Sequence, residues 1–224
     1  MAAFLKIENI GECPSEGFTV LGVSLADTSD NAGVIGQFGS GNKHSVAVLL
    51  RNNLSPIVYS GNLRMTFGTK PQTVGDGIAS KDFGRVTVTY GGRKTGTEEL
   101  GFVLDYGKHD WQDTALALRE FVSNAIDRSI RERGDWSGVK IEIVEESQVR
   151  AKKGHTRVFV PLSPDVLQFY NDLGKWFLHF GEPESLNKTI LPKRDRNLSN
   201  RKAAVIYRRG VRVREFEAND TESL

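Results

Sequence analysis

Four successive segments, IVYSG (57–61), LRMTFG (63–68), RVTVTYGG (85–92) and ELGFVLDYG (99–107), alternate apolar and polar residues. Alternation at period two lines one face of a strand with apolar side chains, so such a run folds as a sheet with one face buried. Gly, Pro and Asn turns separate the segments and favour antiparallel neighbours. The buried face needs a cover, and helical patterns supply it. NKHSVAVLLRNN, residues 42–53, carries Val46, Leu49 and Leu50 on its apolar side. WQDTALALREFVSNAIDRSIRER, residues 111–133, is the clearest helix, with Asp113 to cap it, Leu116, Phe121, Ala125 and Ile126 as its stripe, and Gly134 to end it.

Other segments extend this layout. AFLKIENIG reads as a strand ending in a glycine turn, and VKIEIVEE with TRVFVPL reads as a hairpin. Pro164 begins a second helix, SPDVLQFYNDLGKWFLHF. AVIYRRGVRVREF closes as a hairpin about Arg209–Gly210, with Val205, Tyr207, Val211 and Val213 on one apolar face. The expected fold class is α+β, a mixed, largely antiparallel sheet with about three helices on one face.

Composition excludes several classes. Hydrophobic residues make up 38% and charged residues 26% of 224 residues, an ordinary soluble balance. A chain of this length buries roughly 70% of its unfolded surface without a covalent staple. One cysteine, Cys13, rules out a disulfide framework and a Cys-based zinc site. Four scattered histidines without an H-x-x-x-H pair argue against a structural metal. No apolar run approaches the roughly 18 residues of a membrane helix, and the N-terminus lacks a basic-then-apolar leader. The expected protein is cytoplasmic and has no membrane partner. Net charge is +2, but Lys188 to Arg214 holds ten Lys or Arg and one acid, Asp195, before an acidic end, EFEANDTESL. The basic stretch suits a nucleic-acid backbone and equally a solvated linker. The aromatic set Phe169, Tyr170, Trp176, Phe177 and Phe180 recurs at helical spacing and reads as core.

Three segments can carry chemistry. In GVIGQFGSGNK, residues 33–43, Gly36, Gly39 and Gly41 precede a helix. Glycine lets successive backbone N–H groups point into one concavity, and the helix start adds partial positive charge, so the segment can cradle phosphates. Lys43 can add a point charge. Residue 42 is Asn, so this is no Walker motif. In LREFVSNAIDRS, residues 118–129, Glu120, Asn124 and Asp127 share one helix face. Carboxylate and amide oxygens there suit Mg²⁺, which keeps waters and borrows substrate phosphates as ligands. A carboxylate left over can orient a water for attack. In IENIGE, residues 7–12, Glu8 and Asn9 are acceptors beside Gly11 and can take the exocyclic amine of adenine. Each segment also has a plain reading: a flexible loop, a solvated helix face, a surface turn.

Together they resemble a family. IGQFGSG resembles the second glycine box of the GHKL ATPases, the superfamily of gyrase, heat-shock chaperone, MutL and histidine-kinase ATP-binding domains. The preceding LGVSLADTSDN looks like that family's ATP lid, and LREFVSNAID is similar at every defining position to its E-x-x-x-N-A-x-D helix. GSGNKHS also resembles a G-x-G-x-K-S stretch of phage rIIA-type members. The family places the E/N/D helix first; here it follows the glycine box, at residue 118, so the resemblance implies a circular permutation. It covers residues 1–162 as a permuted nucleotide-binding domain, leaving 163–224 as a C-terminal helix, basic loop and hairpin.

The resemblance implies Glu120 as general base at the γ-phosphate, Asn124 as Mg²⁺ ligand and Asp127 in the pocket near the lid. Gly36, Gln37, Phe38, Gly39, Ser40, Gly41 and Asn42 would line the phosphates, with Lys43 as an extra contact. Asn9 and Gly11 would meet the adenine, though Asn9 stands where the family has Asp. Thr69, Thr97 and Thr156 are candidates for the family threonine; permuted order favours Thr97, while Thr156 has a local G-x-T strand pattern. The implied activity is slow ATP hydrolysis that works as a conformational switch, with a homodimer forming on ATP. A non-catalytic, phage-borne interaction protein that keeps the fold, and a nucleic-acid-binding protein using 188–214, are the other readings.

Overall fold

The computed structural model describes residues 2–20, 41–75, 80–109, 112–181 and 202–217. In chain order the elements are β1 (Ala3–Ile10), α1 (Glu16–Thr19), α2 (Gly41–Arg51), β2 (Ile57–Ser60), β3 (Leu63–Val74), β4 (Lys81–Gly91), β5 (Gly96–Val103), α3 (Thr114–Arg133), β6 (Lys140–Glu145), β7 (His155–Pro161), α4 (Pro164–Asn171), α5 (Leu173–Trp176), β8 (Lys202–Arg208) and β9 (Val211–Glu217).

The protein is α+β. Seven strands form one sheet in the order β5-β4-β3-β2-β7-β1-β6, and every pairing in it is antiparallel. The register runs one apolar row through Ile7, Val158, Val58 and Met65, each buried. Leu5, Phe67, Val88 and Val160 extend that face. α3 packs on β1 and against α2, and Val46, Leu49, Leu118, Val122 and Ile126 are fully buried. α3 is bounded as its sequence predicts. The Asp113 carboxylate accepts from Ala115 N–H at 2.8 Å, and Gly134, at φ 85°, donates its N–H to Ile130 O at 2.7 Å. No helix among the described residues is long and apolar enough to cross a membrane.

Three local expectations change. β6 and β7 do not pair with each other; both pair with β1, which lies between them. The chain between them, with its 3₁₀ turn Glu146–Gln148, is long enough to step over a strand, and β1 thereby satisfies both of its edges. The helix expected over 163–180 stops at Asn171, and α5 adds only Leu173–Trp176. Gly174 lies so close to Gly181 that a Cβ there would meet its Cα at 3.4 Å. In the C-terminal hairpin the register shifts between Ile206 and Tyr207, which breaks the alternation. Val211 is buried there, while Val205 and Val213 are exposed.

The chain divides into two compact units, residues 1–169 and 170–224. The seven-stranded sheet, α2 and α3 all belong to the first.

Candidate functional site

The site is built where β1 ends. Asn9 lies on the helix-covered face of the sheet with Leu5 and Ile7, and its register partner on β7 is Thr156. Gly11, at φ 91°, carries the turn against α3: a Cβ there would lie 2.7 Å from Arg128 Nε and 2.9 Å from Glu132 Cγ. Only glycine takes that conformation in that space. Gly11 N–H donates to Gly154 O at 2.8 Å. Thr156 locks the turn from inside. Its hydroxyl donates to Gly11 O at 2.8 Å and accepts from Cys13 N–H at 2.9 Å. Ser60 Oγ donates to Cys13 O at 2.6 Å. Asn9 Nδ2 donates to Ile10 O at 2.8 Å, which leaves Oδ1 as the accepting end of the amide.

α2 and α3 bring the second and third segments to the same place. Gly41 opens α2 so close to α3 that a Cβ there would sit 2.5 Å from Glu120 Oε2. One residue on, Asn42 Oδ1 accepts from Asn124 Nδ2 at 2.8 Å, and Asn42 Nδ2 donates to Gly17 O at 3.3 Å. Glu120 Oε1 accepts from Arg119 Nη2 at 3.0 Å. Asp127, one turn beyond Asn124, is buried at 6% exposure. Glu120, Asn124 and Asp127 therefore form a row along α3 that runs from the start of α2 toward the β1 turn.

Lys43 is fully buried on α2, inside the protein rather than extended toward solvent. Burial pushes its ammonium pKa down, and the Cys13 thiol opposes that shift. The thiol itself is pushed up to about 11 by burial, against the pull of Arg128 and Lys43. Burial thus favours the neutral thiol form of Cys13.

Of the sequence candidates, Asn9, Gly11, Gly41, Asn42, Lys43, Glu120, Asn124 and Asp127 lie on β1, its turn, and the facing helices α2 and α3. Gly36, Gln37, Phe38, Gly39 and Ser40, with the lid segment 22–35, lie outside the described residues. Thr97 lies away from the β1 turn. It sits exposed on the edge strand β5, its hydroxyl 2.9 Å from that of Thr89. Thr69 is exposed on β3. Of the three, Thr156 is the one opposite Asn9, because β7 borders β1 and β5 lies at the far edge of the sheet. Ser60, Arg119 and Arg128 join the site without a motif to announce them. Their roles are hydrogen bonds to backbone or to a neighbouring carboxylate, which leave no sequence pattern.

Replacing Thr156 by valine removes both partners of the turn while keeping its shape. The expected cost is about 1–3 kcal/mol, because the part-buried Cys13 N–H and Gly11 carbonyl both lose their partner. Thermal unfolding of the variant measures it; an unchanged midpoint would show the hydroxyl to be dispensable.

Among the described residues no three His, Cys, Asp or Glu side chains gather as a metal site. The oxygens of Asn124 and Glu120 suit a hard cation that completes its shell with water and phosphate. Compared with protein-family models, with curated proteins and with solved structures, the chain matches none.

Proposed function

We propose that the chain binds Mg-ATP in the cleft between the β1 turn, α2 and α3, as a GHKL-like domain with permuted motif order. The Asn42–Asn124 hydrogen bond carries this reading, because it joins the end of the glycine box to the E/N/D helix across 82 positions of sequence. In this reading backbone N–H groups at the start of α2 hold the phosphates. Asn124 Oδ1 is the protein ligand for Mg²⁺, since its Nδ2 is already given to Asn42. Bound Mg²⁺ supplies charge neutralisation at the phosphates. Glu120 orients the attacking water, and its Oε2 lies at the phosphate end of α2 beside Gly41. Asn9 Oδ1 accepts from the adenine amine, with Thr156 holding the turn. Slow hydrolysis would then serve as a switch, with lid closure and dimer formation reading the terminal phosphate. The protein works in the cytoplasm.

A second reading, a non-catalytic interaction protein that keeps the fold, draws on the neutral Asn9 and the enclosed Lys43. Isothermal titration of ATP, ADP and GTP, with and without Mg²⁺, separates the two. Saturable, Mg²⁺-dependent ATP binding that fails for GTP supports the nucleotide site. No binding of any nucleotide sinks it and leaves the second reading. Asn124→Ala is expected to abolish the Mg²⁺-dependent part of ATP affinity in the same titration. Undiminished Mg²⁺ dependence would remove Asn124 from the ligand role.

A further inference from the structure

The second unit presents arginines on a two-stranded ribbon. β8 and β9 form a separate two-stranded sheet. Its two-residue turn holds Arg209 at φ 51° and Gly210 at φ 77°, both positive as a type I′ turn requires. The register puts Arg208 opposite Val211, Arg212 opposite Tyr207 and Arg214 opposite Ile206. The glutamates stand at the open end, Glu215 opposite Val205 and Glu217 opposite Lys202. The half of the ribbon near the turn therefore carries Arg208, Arg209, Arg212 and Arg214 and no acid.

One side of the turn is anchored. Leu178 N–H donates to Gly210 O at 2.8 Å, and Phe177, fully buried, bridges to Val211. Tyr207 OH donates to Lys175 O at 2.7 Å, and the Arg212 guanidinium lies 5.2 Å over the Trp176 ring. His179 presses on Gly210, where a Cβ would lie 2.5 Å from its Cε1. On the other side no such anchor joins a described residue. Arg208 and Arg209 are exposed, and neither forms an ion pair with a described residue. Val205 is 36% exposed, Ile206 41% and Val213 52%. Val205 and Ile206 are consecutive and point to opposite faces, so both faces are uncovered at that level.

A two-stranded ribbon with exposed valine and isoleucine side chains is marginal in water, so a bound partner would stabilise it. The charge selects the partner. A second copy would bring arginine against arginine. A polyanion relieves that repulsion, and the major groove of duplex DNA, about 12 Å wide, admits a two-stranded ribbon. Arginine suits the contact, since its planar fork meets phosphate oxygens or a guanine edge through two parallel hydrogen bonds. We propose that the β8–β9 ribbon binds double-stranded DNA through its arginine-bearing turn, independently of any nucleotide in the first unit.

The test is fluorescence anisotropy of a labelled duplex of about 20 base pairs with the full chain, without nucleotide, between about 50 and 200 mM salt. Binding is expected to weaken with salt at a slope of about −0.9 per phosphate neutralised. The double variant Arg208→Gln, Arg209→Asn is expected to flatten that slope by about two. Arg209→Asn creates the Asn-Gly sequence that a type I′ turn favours, so the ribbon keeps its fold. An unchanged melting temperature confirms that. Arg208→Lys, Arg209→Lys is expected to keep the parent slope. Absence of binding overturns the proposal, and so does a slope that the double variant leaves unchanged. Concentration-dependent dimerisation without DNA binding overturns it as well, in favour of a second copy. The nucleotide titration in the first unit bears on none of these outcomes.

Discussion

Glu120→Ala is expected to keep nucleotide binding and to slow hydrolysis by about 10²–10⁴-fold, the usual loss on removing one general base. The expectation rests on where the carboxylate lies. Its side chain is 23% exposed, so solvent reaches it. Oε1 is held by Arg119 at 3.0 Å, which fixes the side-chain direction. Oε2 lies beside Gly41, at the positive end of α2 where a terminal phosphate would sit. A water bound between such a phosphate and Oε2 would lie within reach of both. Phosphate release under saturating Mg-ATP measures the rate, and titration measures the retained affinity. Parent-like turnover in the variant would falsify the base assignment.

Glu8→Ala is expected to destabilise the fold by about 3–5 kcal/mol, the cost of leaving buried charges uncompensated. Glu8 lies on the sheet face opposite its neighbour Asn9, with its side chain 3% exposed. Oε1 is 2.5 Å from Lys152 Nζ, and Oε2 is 2.8 Å from Arg157 Nε and 3.6 Å from Lys6 Nζ. Arg157 is itself only 13% exposed and would lose its carboxylate with little access to water, while Lys6 keeps Glu142 at 2.8 Å and Lys152, 38% exposed, meets solvent. Urea denaturation of parent and variant gives the difference. A loss under about 1 kcal/mol would place the cluster with ordinary surface pairs.

The same residue sets an acid limit. Burial alone would raise the Glu8 carboxyl, but the Lys152 hydrogen bond and the charges of Arg157, Lys152 and Lys6 outweigh it and hold it below its ordinary 4.5. A lowered folded value means that the stabilisation is complete above the unfolded value. It is lost as pH falls through the folded one. Stability should therefore drop below about pH 4.5 in the parent, and less steeply in Glu8→Ala.

Much of this was legible in the chain because its causes are local. Period-two alternation marks β2, β3, β4 and β5 without knowledge of their neighbours. Asp113 and Gly134 bound α3 through hydrogen bonds spanning no more than four residues. Arg209–Gly210 makes the last hairpin turn through its own positive φ angles. The row Glu120, Asn124, Asp127 follows from helix geometry alone. Neighbour relations were decided elsewhere. VKIEIVEE and TRVFVPL look like a hairpin because they are adjacent in sequence, yet β1 enters from the far end of the chain and separates them. That insertion brings Thr156 opposite Asn9, while Thr97 stands on the edge strand β5. It also encloses Glu8 among Lys6, Lys152 and Arg157, and the packing of α2 on α3 encloses Lys43. Periodicity, caps and turns are properties of a few consecutive residues, so the sequence by itself determined the elements and the chemistry each can offer. Which strand borders which, and which charge loses its water, depends on long-range burial, and only the tertiary structure decided it.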